Sequence, residues 1–173
     1  GKYAEAIEAL TNLAAHRPDD VDVQVELLRA ATFARDLRLR QRTYTRLLVL
    51  YLDQGFADAA ADVYREVRLN AMEVAIPRAT AFVLGEGFAR HKKSDCALFA
   101  YARARAEGLS DELAVRAGVA EATTLRTLGR RTDARRLLEE CKASPFSTVE
   151  LDAVIDTQLQ LLGPASIDVS LGA

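Results

Sequence analysis

The stretch Leu84-Gly85-Glu-Gly-Phe88-Ala-Arg-His-Lys92-Lys-Ser-Asp-Cys-Ala97-Leu-Phe-Ala-Tyr101 decides the fold, because its pattern of residue types recurs so that the chain carries it three times. Leu48, Gly85 and Ala122 stand 37 residues apart, and so do Tyr51, Phe88 and Leu125. Gly55, Lys92 and Gly129 keep the same interval, followed by Ala60, Ala97 and Ala134 and then by Tyr64, Tyr101 and Leu138. Each copy reads as an apolar helix, a break, and a second helix with a small residue one turn before a large one. Small residues let two helices approach, and the large neighbour fills the groove between them. A single pair cannot bury its own apolar face, so such units must stack.

The rest of the chain agrees. Ala, Leu, Arg and Glu dominate its 173 residues and favour helix. Apolar residues recur at spacings of three and four, as in Ala6, Leu10, Leu13 and Ala14. About nine helices are expected, over 2–16, 20–34, 37–53, 56–70, 77–91, 94–107, 110–128, 131–143 and 147–162. Pro18 ends the first, and Asp19 and Asp20 can cap the second. Pro77 suits the first turn of a helix, and Gly108 and Gly129 suit left-handed helix stops. Ser147 with Glu150 has the spacing of a capping box. Leu151, Val154, Ile155 and Leu162 make one stripe on a last helix that caps the array. The tail, 163–173, carries no helix pattern and reads as disordered or as an extended arm.

Two segments resemble the tetratricopeptide repeat (TPR) family. Gly1, Tyr3, Ala6, Leu10 and Pro18 fill, in order, the places of the second half of such a repeat. Leu84-Gly85-x-x-Phe88 is similar to the family's Leu-Gly-x-x-Tyr element, and Tyr44-x-x-Leu47 to its Trp-x-x-Leu. The resemblance implies an all-α fold, a right-handed superhelical solenoid of antiparallel helix pairs. It divides the chain into a single domain, 1–162: a half repeat at 1–20, repeats at 41–77, 78–114 and 115–146, and a capping helix at 147–162. The period of 37 exceeds the family's 34, which places longer turns near 71–76 and 108–114. One conflict stands out. Counted from Gly1, helix 37–53 is the second of a pair; counted back from Gly55, it is the first. An extra helix or an irregular junction is therefore expected within 21–40, near Arg35 to Leu39.

Chemistry is sparse. His16 and His91 lie in no metal-binding spacing, and two cysteines make neither a disulfide framework nor a thiolate zinc site. Cys141 takes a small buried place, and Asp95 beside Cys96 disfavours a reactive thiolate. Gly85-Glu-Gly87 lacks the strand and third glycine of a phosphate loop, so it reads as helix packing. No catalytic motif, cofactor or metal is expected, and the chain is not read as an enzyme. Lys and Arg number 23 against 25 Asp and Glu, a net charge of -2, so there is no general nucleic-acid footprint. Six arginines (29, 35, 38, 40, 42 and 46) run against a single acid, Asp36, with Phe33 and Tyr44 as the two aromatics among them, few for base stacking.

The resemblance implies that the first helices of successive pairs line a concave groove for a peptide or partner helix. By register that groove presents Arg42, Thr45, Arg46 and Val49, then Phe82, Glu86 and Ala89, then Arg116, Val119, Thr123 and Arg126. The family's carboxylate-clamp subtype has Lys and Asn where Thr45 and Val49 stand, so the likeness does not reach that subtype. The expected partner is a protein or peptide, acidic and amphipathic, bound by a non-catalytic scaffold. Two alternatives stay open. The chain, which begins partway through a motif, reads as an excerpt, and so as a regulatory or tethering module of a larger protein. Or it self-associates as a homodimer through Tyr3, Ala6, Ile7 and Leu10 at its open N-terminal end. No stretch is apolar enough to span a bilayer, and the expected compartment is the cytoplasm.

Overall fold

A computed structural model describes residues 2–163 of the chain, with side chains from Ala4 onward. The expected tail beyond Gly163, the turn glycine Gly1 and the side chain of Tyr3 lie outside the described residues. The described residues are helical throughout, with no strand. The order is α1 Lys2–His16, α2 Val21–Phe33, α3 Leu37–Asp53, α4 Ala57–Leu69, a short 3-10 helix Met72–Ala75, α5 Arg78–Arg90, α6 Ser94–Ala104, α7 Glu112–Thr127, α8 Arg131–Ala143 and α9 Val149–Leu162. Most neighbours along the chain pack on one another, α4 packing on α3, the 3-10 helix and α6, and α3, α5, α7 and α9 also touch in sequence as one layer.

Four turns share one backbone solution. Arg35, Gly55, Lys92 and Gly129 all have φ between 57° and 81°. In each, the next residue donates its N–H five residues back: Asp36 to Ala31 (2.9 Å), Phe56 to Tyr51 (2.7 Å), Lys93 to Phe88 (2.8 Å) and Arg130 to Leu125 (2.9 Å). This double-bonded left-handed stop satisfies the last carbonyls of the helix. Arg35 and Lys92 adopt it without being glycine, at a cost of about 1 kcal/mol. The turn at Arg35 resembles the other three, and Val21–Phe33 is a complete helix before it. The segment 21–40 thus holds a helix between α1 and α3 and a left-handed residue, Arg35, at the junction.

Small residues set the distance between helices. Ala60, Ala97 and Ala134 are fully buried. A Cβ on Gly85 of α5 would stand 2.5 Å from the Tyr101 ring of α6, and one on Gly118 of α7 would stand 2.5 Å from Cys141 Sγ of α8. The core continues through Tyr64 and Phe88, whose ring centroids are 5.2 Å apart.

The extra residues of the longer period are tied down by charge. The Tyr64 hydroxyl donates to Glu73 Oε1 at 2.6 Å, and Arg68 Nε lies 3.3 Å from Glu73 Oε2, so the 3-10 helix is anchored on α4. Burial and the Glu73 carboxylate both push the Tyr64 hydroxyl pKa up. Further on, Arg78 grips the Asp111 carboxylate with both terminal nitrogens (2.8 and 2.9 Å) and donates Nε to the Ala104 carbonyl at 2.7 Å. Asp111 also caps α7 by accepting from Ala114 N. These bonds end α6 at Ala104, short of the expected 107, and start α7 at Glu112, later than the expected 110.

Three smaller expectations are corrected. The cap of α9 is Thr148, whose hydroxyl accepts from Leu151 N at 3.3 Å, while Ser147 donates to Asp152; there is no Ser147–Glu150 box. Val154 is half exposed, and the stripe that packs on α7 and α8 runs through Leu151, Ile155, Leu159 and Leu162. Pro77 sits one place before the first turn, as the cap of α5.

Two predictions follow from the packing and the clamp. Gly85→Ala forces a methyl into the Tyr101 ring and lowers stability by about 2 kcal/mol, whereas Val83→Ala on the exposed side of α5 changes the melting temperature little. Arg78 holds the Asp111 carboxyl below its ordinary value of 3.8. A depressed carboxyl contributes stability that is full above its ordinary value and is lost as pH falls through the folded one. Asp111→Asn should therefore melt lower than the parent at pH 7, with a smaller gap at pH 3, below the ordinary carboxyl value of 3.8. An equal gap at both pH values refutes the clamp.

Candidate functional site

Two cavities among the described residues are large enough to hold a ligand. The first, of about 710 Å³, lies between α1, α2, α3 and the start of α5. The second, of about 580 Å³, lies between α6, α7 and α8. Their charges differ in a way that separates them.

The second cavity neutralises itself. Arg105 Nε and Nη2 grip Glu121 at 2.6 and 3.1 Å, with the Glu121 side chain only 11% exposed. Asp133 takes Arg130 at 2.7 Å and Arg136 at 3.5 Å. Asp95 takes Arg65 at 3.0 Å. These pairs tie helices and turns together and, among the described charged lining residues, leave Glu140 without an ion-pair partner, an acid that would repel an acidic segment.

The first cavity is built around α3. Asp36 caps that helix by accepting from Leu39 N at 2.9 Å, which fixes where its helical register begins. Arg38, Arg42 and Arg46 then recur every four residues and line the cavity from one row. The other walls bring Thr11, Ala14 and Gln24 from α1 and α2, and Pro77 and Thr80 from the start of α5. No Asp or Glu lines it. Arg46 is consumed at the mouth: it pairs with Asp19 and donates Nε to the Pro18 carbonyl at 3.2 Å. Arg38 and Arg42 are exposed and, among the described residues, have no partner. Gln24 is 6% exposed, and its amide donates only a long bond, 3.5 Å, to Pro18.

The register therefore brings together four of the nine expected site residues: Arg42, Thr45, Arg46 and Val49. The other five lie outside this cavity. Phe82 is buried at 8% exposure beneath Arg116, whose guanidinium carbon is 5.4 Å from the ring centre. Glu86 is exposed on α5. The Thr123 hydroxyl donates to its own helix at Val119, and Arg126 Nε donates to Gln158 of α9 at 3.1 Å. Sequence reasoning missed Arg38, Gln24 and Thr80 as lining. Arg38 had a readable signal, since it stands one helical turn before Arg42. Gln24 and Thr80 reach the cavity only through tertiary packing.

Neither cysteine is poised as a thiolate. Burial pushes the Cys96 thiol up to about 11, helped by Asp95, and the Cys141 thiol up to about 12. Among the described residues, no group of three or more His, Cys, Asp or Glu could hold a metal ion. No helix there is long and apolar enough to cross a membrane. At the N-terminal end Ala6 is exposed and Ile7 and Leu10 are half buried.

Residues 79–163, α5 to α9 with its C-cap, match the family described as Tetratrico peptide repeat. No curated protein matches the chain. Among solved structures, the chain is similar to the crystal structure of BtubC (BKLC) from P. vanneervenii, at 17% identity over 92% of this chain and 83% of that one, with a TM-score of 0.47.

Removing one partner of the bidentate pair under the second cavity tests its structural role. Glu121→Ala leaves Arg105 half buried and uncompensated, and should cost about 3 kcal/mol in chemical unfolding. A loss below about 0.5 kcal/mol would show that the pair is dispensable and the cavity free for another use.

Proposed function

We propose that this chain, whose residues 79–163 match the family described as Tetratrico peptide repeat, is a non-catalytic interaction module holding an acidic segment of a partner protein in the cavity of α1, α2, α3 and α5. The family is in general one of protein-interaction modules without catalytic activity. The repeats of this module are 41–77, 78–114 and 115–146, with the half repeat 1–20 and α2 forming the far wall of the site.

The observation that carries the reading is Arg38 and Arg42, two unpartnered guanidinium groups in a cavity without an acid. Like charges four residues apart on a helix cost about 0.2–0.5 kcal/mol, and nothing described offsets them here. A carboxylate from outside does, and Arg takes carboxylates in a bidentate fork. The cavity volume falls within the range of ligand clefts, about 300–1,000 Å³. Ala14, Leu27, Val49 and Pro77 supply apolar wall for side chains between the acids.

The test is fluorescence anisotropy with a fluorescein-labelled nonapeptide rich in Glu. Arg38→Glu with Arg42→Glu should weaken binding at least about tenfold and leave helicity and melting unchanged. Arg116→Glu, whose parent side chain lies over Phe82 outside the cavity, should bind as before. Binding that survives the first variant, or is lost only in the second, overturns the site.

A further inference from the structure

Resting on that reading, we infer that the bound segment is extended and carries its acidic side chains at alternate positions. The inference comes from matching two periods. Arg38, Arg42 and Arg46 are four residues apart on one straight helix, so their stems rise in steps of about 6 Å along α3. An extended chain advances about 3.3 Å per residue and sends every second side chain to the same face, in steps of about 6.6 Å. Acids at positions i and i+2 of an extended segment therefore meet Arg38 and Arg42 together. Consecutive acids cannot, because one of the two points away. A helical ligand could match the step, but only by presenting acids four apart, which consumes a longer segment.

The rest of the cavity fits a strand-like ligand. An extended segment brings unpaired backbone N–H and C=O groups that need partners. Gln24, Gln41, Thr11 and Thr80 line the walls with polar side chains. The intervening residues of the segment face away from the arginines, toward Ala14 of α1 or solvent. No aromatic side chain lines the cavity, so it offers no platform for stacked bases, although the phosphates of a single strand have a similar spacing.

The third arginine explains why two acids suffice. Asp19, in the turn between α1 and α2, already occupies Arg46. It stands where a third ligand carboxylate would fall, two steps or about 12 Å from Arg38. Asp19 is thus an internal competitor that sets the length of the acidic motif. Its side chain is 78% exposed, so a ligand can displace it.

The experiment uses labelled nonapeptides of identical composition in the same anisotropy assay. One carries two Glu separated by a single Ala, so that they alternate; the other carries the same two Glu side by side as a block, with Ala and Ser elsewhere in both. The alternating peptide should bind about tenfold more tightly, and Arg38→Gln and Arg42→Gln should each remove that preference. Asp19→Asn should strengthen a peptide with three alternating acids about threefold and leave one with two alternating acids unchanged. Equal affinity for the alternating and blocked peptides, with both lost in Arg42→Gln, sinks the spacing and leaves the acidic-segment reading standing. No binding of either peptide sinks both. A single-stranded oligonucleotide that binds as tightly as the alternating peptide overturns the choice of a protein ligand.

Discussion

Everything in this array depends on how closely the first helix of each pair approaches the second. At Gly85 the Tyr101 ring occupies the space a methyl would need, and at Gly118 the sulfur of Cys141 does the same. Contact this tight leaves no room for adjustment, so each pair is a rigid unit and its orientation is set by the next pair it stacks on. The left-handed turns follow from the same demand. A helix that must reverse within three residues and return in contact needs a stop that satisfies its own carbonyls, and four turns use the same stop. Lys92 and Arg35 accept backbone strain there because the register on either side leaves no alternative.

Charge is used in two ways in this molecule, and the difference points to function. Arg78, Arg105 and Arg126 reach across helices to Asp111, Glu121 and Gln158, and each ties a connection or an end to the stack. Those arginines are spent. Arg38 and Arg42 stand in an acid-free cavity and repel each other. A protein that merely needed a solvated face on α3 could place glutamates among them, as α8 does with Glu139 four residues from Arg135.

Much of the architecture was legible in the sequence, and the reason is local. The helices are long, their apolar spacing is regular, and the breaks carry Pro18, Gly55, Gly129 or capping aspartates. The interval of 37 even located Lys92 as the equivalent of two glycines, before its backbone could be seen. What failed was non-local or competitive. Thr148 caps α9 in place of Ser147 because both hydroxyls were available and Ser147 found Asp152 instead. The loop after α6 is longer than expected because Arg78, 26 residues upstream, holds the Ala104 carbonyl. The site was half legible for the same reason. Register says which helices share a layer, and it gave Arg42, Thr45, Arg46 and Val49 together. It cannot say which side chains are already taken. Arg46 belongs to Asp19, Arg126 to Gln158, and Phe82 lies under Arg116. Nor could register place α1 and α2 as walls, since their approach to α3 is set by tertiary packing.

The central claim is that the cavity of α1, α2, α3 and α5 receives the partner while the cavity of α6 to α8 does not. Nitrogen-15 spectra of the labelled chain, recorded during titration with a Glu-rich peptide, test it directly. Shifts confined to the side-chain Nε–H groups of Arg38 and Arg42 and to the amides of Thr11, Gln24 and Thr80 are the predicted result. Shifts centred on Phe99, Arg136 and Glu140, with Arg38 and Arg42 unmoved, would contradict it.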